Sequence, residues 1–311
     1  MLGYVFGLLS AMSFGVADTS TRRGVLKGTV IQAVFFTVIL GVPLFLVAAV
    51  VTGQIFDANL IAFKGYVYLV LAGIIHFIGG RYCNYRTISA IGATRAATIG
   101  AVQLPYSVIV AAIFLSERVN ALMAVGILLV LVGPLIMAER KKEKAIAGGS
   151  VDTHAAAGTE AAPPIRQAEG YVFGVLGAIS YGTSPIFIRA ALEDNGLGIF
   201  GGFVSYVAAA VIVLAIAALP SGLRTFQSIP RKALPWFGLT TVMVFFAQMF
   251  RFAALAITSV TIVATLQRLS AVFVLLFGFL FNRHLEKFSW RLVAGIVLAV
   301  VGAALLALGK P

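Results

Sequence analysis

Five arginines stand inside long apolar stretches of this sequence: Arg81, Arg86, Arg95, Arg251 and Arg268. A guanidinium in hydrocarbon costs of order 3 kcal/mol or more, so such a residue turns toward a partner, a cavity or the lipid headgroups. Carboxylates do not supply the partners, because of the 11 acidic residues only Asp18 falls within an apolar stretch. Two uses remain. Either the long side chains reach lipid phosphates and water, or an inward pair clamps a carboxylate, phosphate or sulfonate that comes and goes.

Helical spacing groups the arginines with other polar residues. Arg81, Asn84 and Tyr85 share a face at i, i+3 and i+4, as do Gln248 and Arg251, and Thr261, Thr265 and Arg268 form one stripe. Arg81 and Arg251 occupy nearly matching places in the two halves of the chain, and Arg95 opens the apolar stretch that carries Gln103. Gln103 and Gln267 suit a midplane substrate site, with hydrogen bonding between helices as the alternative. The candidate substrate-binding set is therefore Arg81, Asn84, Tyr85, Arg95, Gln103, Gln248, Arg251, Gln267 and Arg268. Asp18 is the candidate proton-coupling residue, with a helix cap or a salt bridge to Arg22 as its structural alternative. His76, alone on an apolar helix, reads as a satisfied core histidine.

The elements that must hold these residues follow from composition. Of 311 residues 60% are apolar and 11% charged, with a mean hydropathy of +1.03. Too few charges are present to cover a water-soluble core. The 23 basic residues sit singly or in short runs between apolar stretches rather than on a basic face with interleaved aromatics, which excludes nucleic acid as the partner of the +12 charge. Cys83 is the single cysteine, so no internal disulfide or cysteine metal cluster forms. Met1 leads into an apolar run with no basic segment before it, so no cleavable signal peptide is expected. Runs of about 20 apolar residues mark membrane-crossing helices. Ten fit, near 2–20, 29–51, 66–87, 93–115, 121–138, 170–188, 199–219, 234–257, 261–281 and 292–308. The runs are too long and too uniformly apolar for barrel strands. The segment 139–169, charged and then rich in Ala, Gly and Pro, reads as a polar linker.

The halves are alike. Residues 4–15, YVFGLLSAMSFG, lie over 171–182, YVFGVLGAISYG, with 8 of 12 identical. Glu117 with Gly126-Ile127 corresponds to Glu286 with Gly295-Ile296, and Gly133 to Gly302. The chain is thus a five-helix unit, 1–138, a linker, 139–169, and a second unit, 170–311. Five is odd, so the second unit enters from the opposite face. Basic residues test this. One side receives Arg22, Arg23, Lys27, Arg140, Lys141, Lys142, Lys144, Arg166, Arg224, Arg231, Lys232, Arg283, Lys287 and Arg291, and the other Lys64, Arg118, Arg189 and Lys310. The reading is an all-α integral membrane protein of ten transmembrane helices in two inverted five-helix repeats, with the linker cytoplasmic and the termini outside. Gly182-Thr183-Ser184-Pro185 is expected to break or kink the sixth span. Glu117 and Glu286 are each expected to complement the dipole of the last helix of their unit.

At these residues the sequence resembles the drug/metabolite transporter superfamily, specifically its EamA-like members. The likeness rests on the small-residue first helix of each unit ending in Arg22 or Arg189, and on the glutamates followed nine residues later by Gly126 or Gly295. The family's usual tryptophan in the first helix is Phe14 here and Tyr181 in the second unit, and Pro105 has no counterpart near Val274. The resemblance implies a membrane transporter, not an enzyme, in a bacterial cytoplasmic membrane. No nucleotide-binding loop or cofactor motif is present. The expected function is alternating-access transport of a small polar metabolite, an organic anion or amino-acid-like carboxylate. The alternatives are a proton-coupled exporter of amino acids or cationic compounds using Asp18 and, more distantly, an intramembrane enzyme or sensor. Expected partners are the small-molecule substrate and membrane lipids, with a homodimer also compatible.

Overall fold

The computed structural model describes residues 1–138, 166–281 and 290–309. The basic residues at 140–144 and Glu286 lie outside the described residues. All regular structure among the described residues is helical. Seven stretches are long and apolar enough to cross a bilayer: Leu2–Lys27, Val30–Val51, Phe63–Ile91, Gln167–Leu192, Gly198–Ala218, Leu234–Ile257 and Val260–Phe277. Shorter apolar helices occupy the expected fourth and fifth spans, and Trp290–Leu308 occupies the tenth.

In the first unit α1 (Leu2–Lys27), α2 (Val30–Ile39), α3 (Gly41–Val51), α4 (Phe63–Gly73), α5 (Arg81–Ile91), α6 (Ala93–Gly100), α7 (Gln103–Phe114) and α8 (Ala121–Ala138) follow in order. The second unit holds α9 (Gln167–Leu192), α10 (Gly198–Ala218), α11 (Pro220–Gln227), α12 (Leu234–Ile257), α13 (Val260–Gln267), α14 (Ser270–Phe281) and α15 (Trp290–Leu308).

Small residues let α1 lie close to α12. Ser10 Oγ donates to Ala247 O at 2.8 Å, Ser20 and Thr240 hydroxyls meet at 2.9 Å, and a methyl group added at Gly3 would overlap Thr258. Early residues of α1 thus meet late residues of α12, so the pair is antiparallel. The first helix of the second unit does the same with the third span of the first: Gly170 meets Ile91, Gly80 meets Tyr181, and the Phe187 and Tyr68 rings lie 5.7 Å apart. Within each unit the relation is parallel. Arg22 Nη1, near the end of α1, donates to Ile88 O and Ser89 O at 2.8 and 2.7 Å, and Arg189 Nη1 donates to Leu255 O and Ala256 O, both at 3.2 Å. Each arginine caps the carbonyl end of its own unit's third span. A first helix parallel to its own third span and antiparallel to the other unit's means that the two units run in opposite directions. The buried core is shared between them.

The breaks fall elsewhere than expected. The sixth span, α9, is continuous through Pro185. Pro185 has no N–H to give to Tyr181 O, and Gln103 Nε2 donates to that carbonyl from another helix at 3.3 Å. Ser107 Oγ likewise donates to Gly182 O at 3.1 Å. With the freed Tyr181 carbonyl supplied by Gln103, the helix holds. Besides the step at Leu40 between α2 and α3, spans four and nine are discontinuous. Their α-helical ladders stop at Gly100 and Gln267 and resume at Gln103 and Ser270, at aligned positions in the two units. Tight i→i+3 bonds bridge the gaps, among them Leu104 N to Ala101 O and Ala271 N to Arg268 O. A π-helical turn, Ile74–Gly80, interrupts the third span just before Arg81.

Candidate functional site

The breaks of spans four and nine border one cavity, about 1030 Å³ of empty space with its mouth included. Eight of the nine candidate substrate residues line it, as does Asp18: Arg81, Asn84 and Tyr85 from the third span, Gln103 from α7, Gln248 and Arg251 from α12, and Gln267 and Arg268 at the break of span nine. Arg95 is not among them. It is exposed, while Ala96, Ala97 and Gly100 of the same helix face the cavity. Phe14 and Tyr181, which stand where the first-helix tryptophan was expected, are lining residues too.

The lining extends from mid-bundle toward the end where α1 finishes and α9 begins, reaching Thr87, Ala96 and Gly174. The opposite end is closed by α1 on α12, with Phe6 and Phe250 rings at 6.0 Å. Glu117 adds to that closure. Its carboxylate accepts from Val260 N at 2.6 Å and Thr261 N at 3.0 Å. It therefore complements the N-terminus of α13 in the other unit, not that of α8 as expected. Ser259 supplies the second cap, accepting from Ile262 N at 3.4 Å.

Each arginine is held differently. Arg81 is 1% exposed; its Nη2 donates to Tyr206 Oη at 2.8 Å, and its guanidinium carbon lies 4.6 Å from the Phe77 ring centre. Its Nη1 is buried with no hydrogen-bond partner. Arg251, also 1% exposed, donates to Gln248 Oε1 at 3.3 Å and Ser184 Oγ at 2.9 Å. Arg268 donates to Gly100 O at 2.6 Å, the carbonyl released by the break of span four, and to Gln103 Oε1 at 2.7 Å, while its Nε has no partner. Gln103 thus connects Arg268 to the carbonyl that Pro185 frees. Asp18 accepts from Asn84 Nδ2 at 3.3 Å, and Arg22 is occupied with helix-end carbonyls rather than with Asp18.

His76 is satisfied, as expected, but its partners belong to the site. Nδ1 lies 2.8 Å from Ser184 Oγ and Nε2 lies 2.7 Å from Gln248 Nε2, linking the ring to both partners of Arg251. Sequence gave no route to this, because Ser184 and Gln248 lie 108 and 172 residues away. Arg86 leaves the site altogether. It pairs with Glu169, which also binds Arg166 at 2.9 Å. Arg189 pairs with Glu193, and among the described residues none of Arg81, Arg251 and Arg268 is in a direct ion pair.

The family model described as the EamA-like transporter family matches residues 1–138 and 168–308. The chain belongs to the EamA-like transporter family. Members are membrane transporters of the drug/metabolite superfamily, and this EamA-like chain is accordingly an integral membrane protein. One solved crystal structure superposes on it with a TM-score of 0.65, covering 99% of this chain and 97% of that one at 17% identity, a likeness of fold. No curated protein matches it significantly.

Proposed function

We propose that this EamA-like protein is a secondary active carrier of a small organic anion, working by alternating access between its inverted units. The observation that carries the reading is the set of three arginines on one buried cavity with no direct ion pair. Two guanidiniums at 1% exposure are costly to leave without a counter-charge, and an anion entering the cavity supplies it. Closure at one end and a cavity reaching the other fit one of the two states that such a cycle requires. The test is uptake into proteoliposomes of radiolabelled carboxylates, phosphates, sulfonates and amino acids, with R81Q and R251Q beside the parent. Saturable uptake of an anion that both variants lose is expected. Undiminished anion uptake by both variants would sink the reading.

A second reading rests on Asp18, which lines the same cavity and accepts from Asn84. A proton-coupled exporter would cycle its proton there. D18N separates the two: the exporter loses gradient-driven flux, and the anion carrier keeps exchange. The distribution of basic residues favours the linker in the cytoplasm, and the family resemblance favours a bacterial cytoplasmic membrane. Protease added to right-side-out and inverted vesicles checks this, with cleavage of the linker in the inverted ones only.

A further inference from the structure

We infer that the cavity is built for a small dianion, a dicarboxylate or a phosphate monoester, in preference to a monocarboxylate or a zwitterion. The inference deepens the carrier reading and rests on it. Its ground is the protonation pattern that the hydrogen bonds impose. Gln248 Oε1 accepts from Arg251, so the amide turns its Nε2 to His76. That N–H donates, and His76 Nε2 must accept. The remaining ring nitrogen, Nδ1, carries the proton and donates to Ser184 Oγ. The imidazole is neutral in this arrangement, since a second ring proton would face the amide N–H head on.

The charged groups on the cavity are then Arg81, Arg251, Arg268 and Asp18. Three guanidiniums against one carboxylate leave two positive charges. A dianion cancels them; a monoanion leaves one and a zwitterion leaves both on side chains buried in the bundle. The spare donors match. Arg81 Nη1 and Arg268 Nε are buried without partners and come from different walls, one on the third span and the other at the break of span nine. Each guanidinium is fixed through its other nitrogens, Arg81 by Tyr206 and Arg268 by Gly100 O and Gln103. Two anchored cations, each with an unpartnered buried nitrogen, suit a ligand with two anionic oxygen sets. Asp18 repels an anion, and Asn84 beside it moderates the repulsion.

Four probes of similar size test this on the purified full chain in proteoliposomes: succinate, butyrate, 4-aminobutyrate and glycerol 3-phosphate. The dianion reading expects succinate or glycerol 3-phosphate to compete for uptake at least about tenfold better than butyrate, the loss expected when a charged hydrogen bond is removed. The better of the two dianions tells carboxylate from phosphate. In equilibrium binding of the labelled probes to the purified protein, R81Q should bring succinate and butyrate to within about threefold of each other, and D18N should raise affinity for the preferred dianion. Equal competition by butyrate and succinate in the parent would overturn the dianion assignment while leaving an anion carrier standing. Preference for 4-aminobutyrate would overturn both. Should R81Q fail to fold, the parent's ranking and D18N decide alone, and a folded parent that takes none of the four refutes the assignment.

Discussion

Arg22 holds the last carbonyls of its unit's third span, and Arg189 does the same in the second unit with carbonyls at the aligned positions. The breaks of spans four and nine also coincide under this alignment. In the cavity the same alignment pairs unlike residues: Arg81 with Gln248, Asn84 with Arg251, Phe14 with Tyr181 and Asp18 with Pro185. Helix ends present the same carbonyls in either unit, so one solution serves both. In the proposed function the cavity answers to a ligand as well as to a limit on buried charge. Guanidinium at all four third-span positions would put four buried cations side by side, and an amide at one position of each aligned pair halves that number.

Five variants press on this contrast. The largest effect is expected in the cavity. R251Q strips both Ser184 and Gln248 of their charged donor and should cut anion uptake about 100-fold, as the loss of about 3 kcal/mol of charged hydrogen bonding would. The double variant R81Q/Q248R moves a guanidinium to the aligned position of the other unit. Uptake within about tenfold of the parent would mean that the cavity tolerates exchange of its walls, and uptake no better than R81Q would mean that it does not. At the helix ends the readout is thermal stability. R22A should lower the melting temperature by about 2–4 °C, for a loss of about 1 kcal/mol. R189A should lower it less, because its contacts are longer and Glu193 shares its charge. Equal shifts would count against bond length as the cause. Smallest is P185A, whose new N–H competes with Gln103 for Tyr181 O. About a threefold fall in uptake is expected, with no loss of stability.

Sequence reasoning reached most of the cavity because helical phase is visible in a single helix. Arg81, Asn84 and Tyr85 were one stripe before they were one wall. Arg95 shows the same rule neglected: Ala96 and Gly100, four apart, face the cavity, and the residue before them points away. What stayed hidden depends on distant partners. Arg86 lay in an apolar run, yet its carboxylate, Glu169, comes from the start of the other unit. Gly182 to Pro185 carried the usual marks of a broken helix, but Gln103 and Ser107 satisfy the carbonyls and the helix continues. The true break of span nine falls at Arg268-Leu269, with no glycine or proline to announce it.

The closeness of α1 to α12 has a consequence in time. A chain is made from its N-terminus, and Ser10 waits for Ala247, 237 residues later in synthesis. Until α12 and α13 arrive, the small-residue face of α1, with Gly3, Gly7 and Ser10, lies against lipid or against whatever assists insertion. The first half of the protein can therefore be threaded through the membrane before it can be finished. A cysteine placed at Ser10 should react with a membrane-permeant maleimide in a chain truncated before Leu234 and be protected in the full one. Protection in both would mean that another surface covers α1 first.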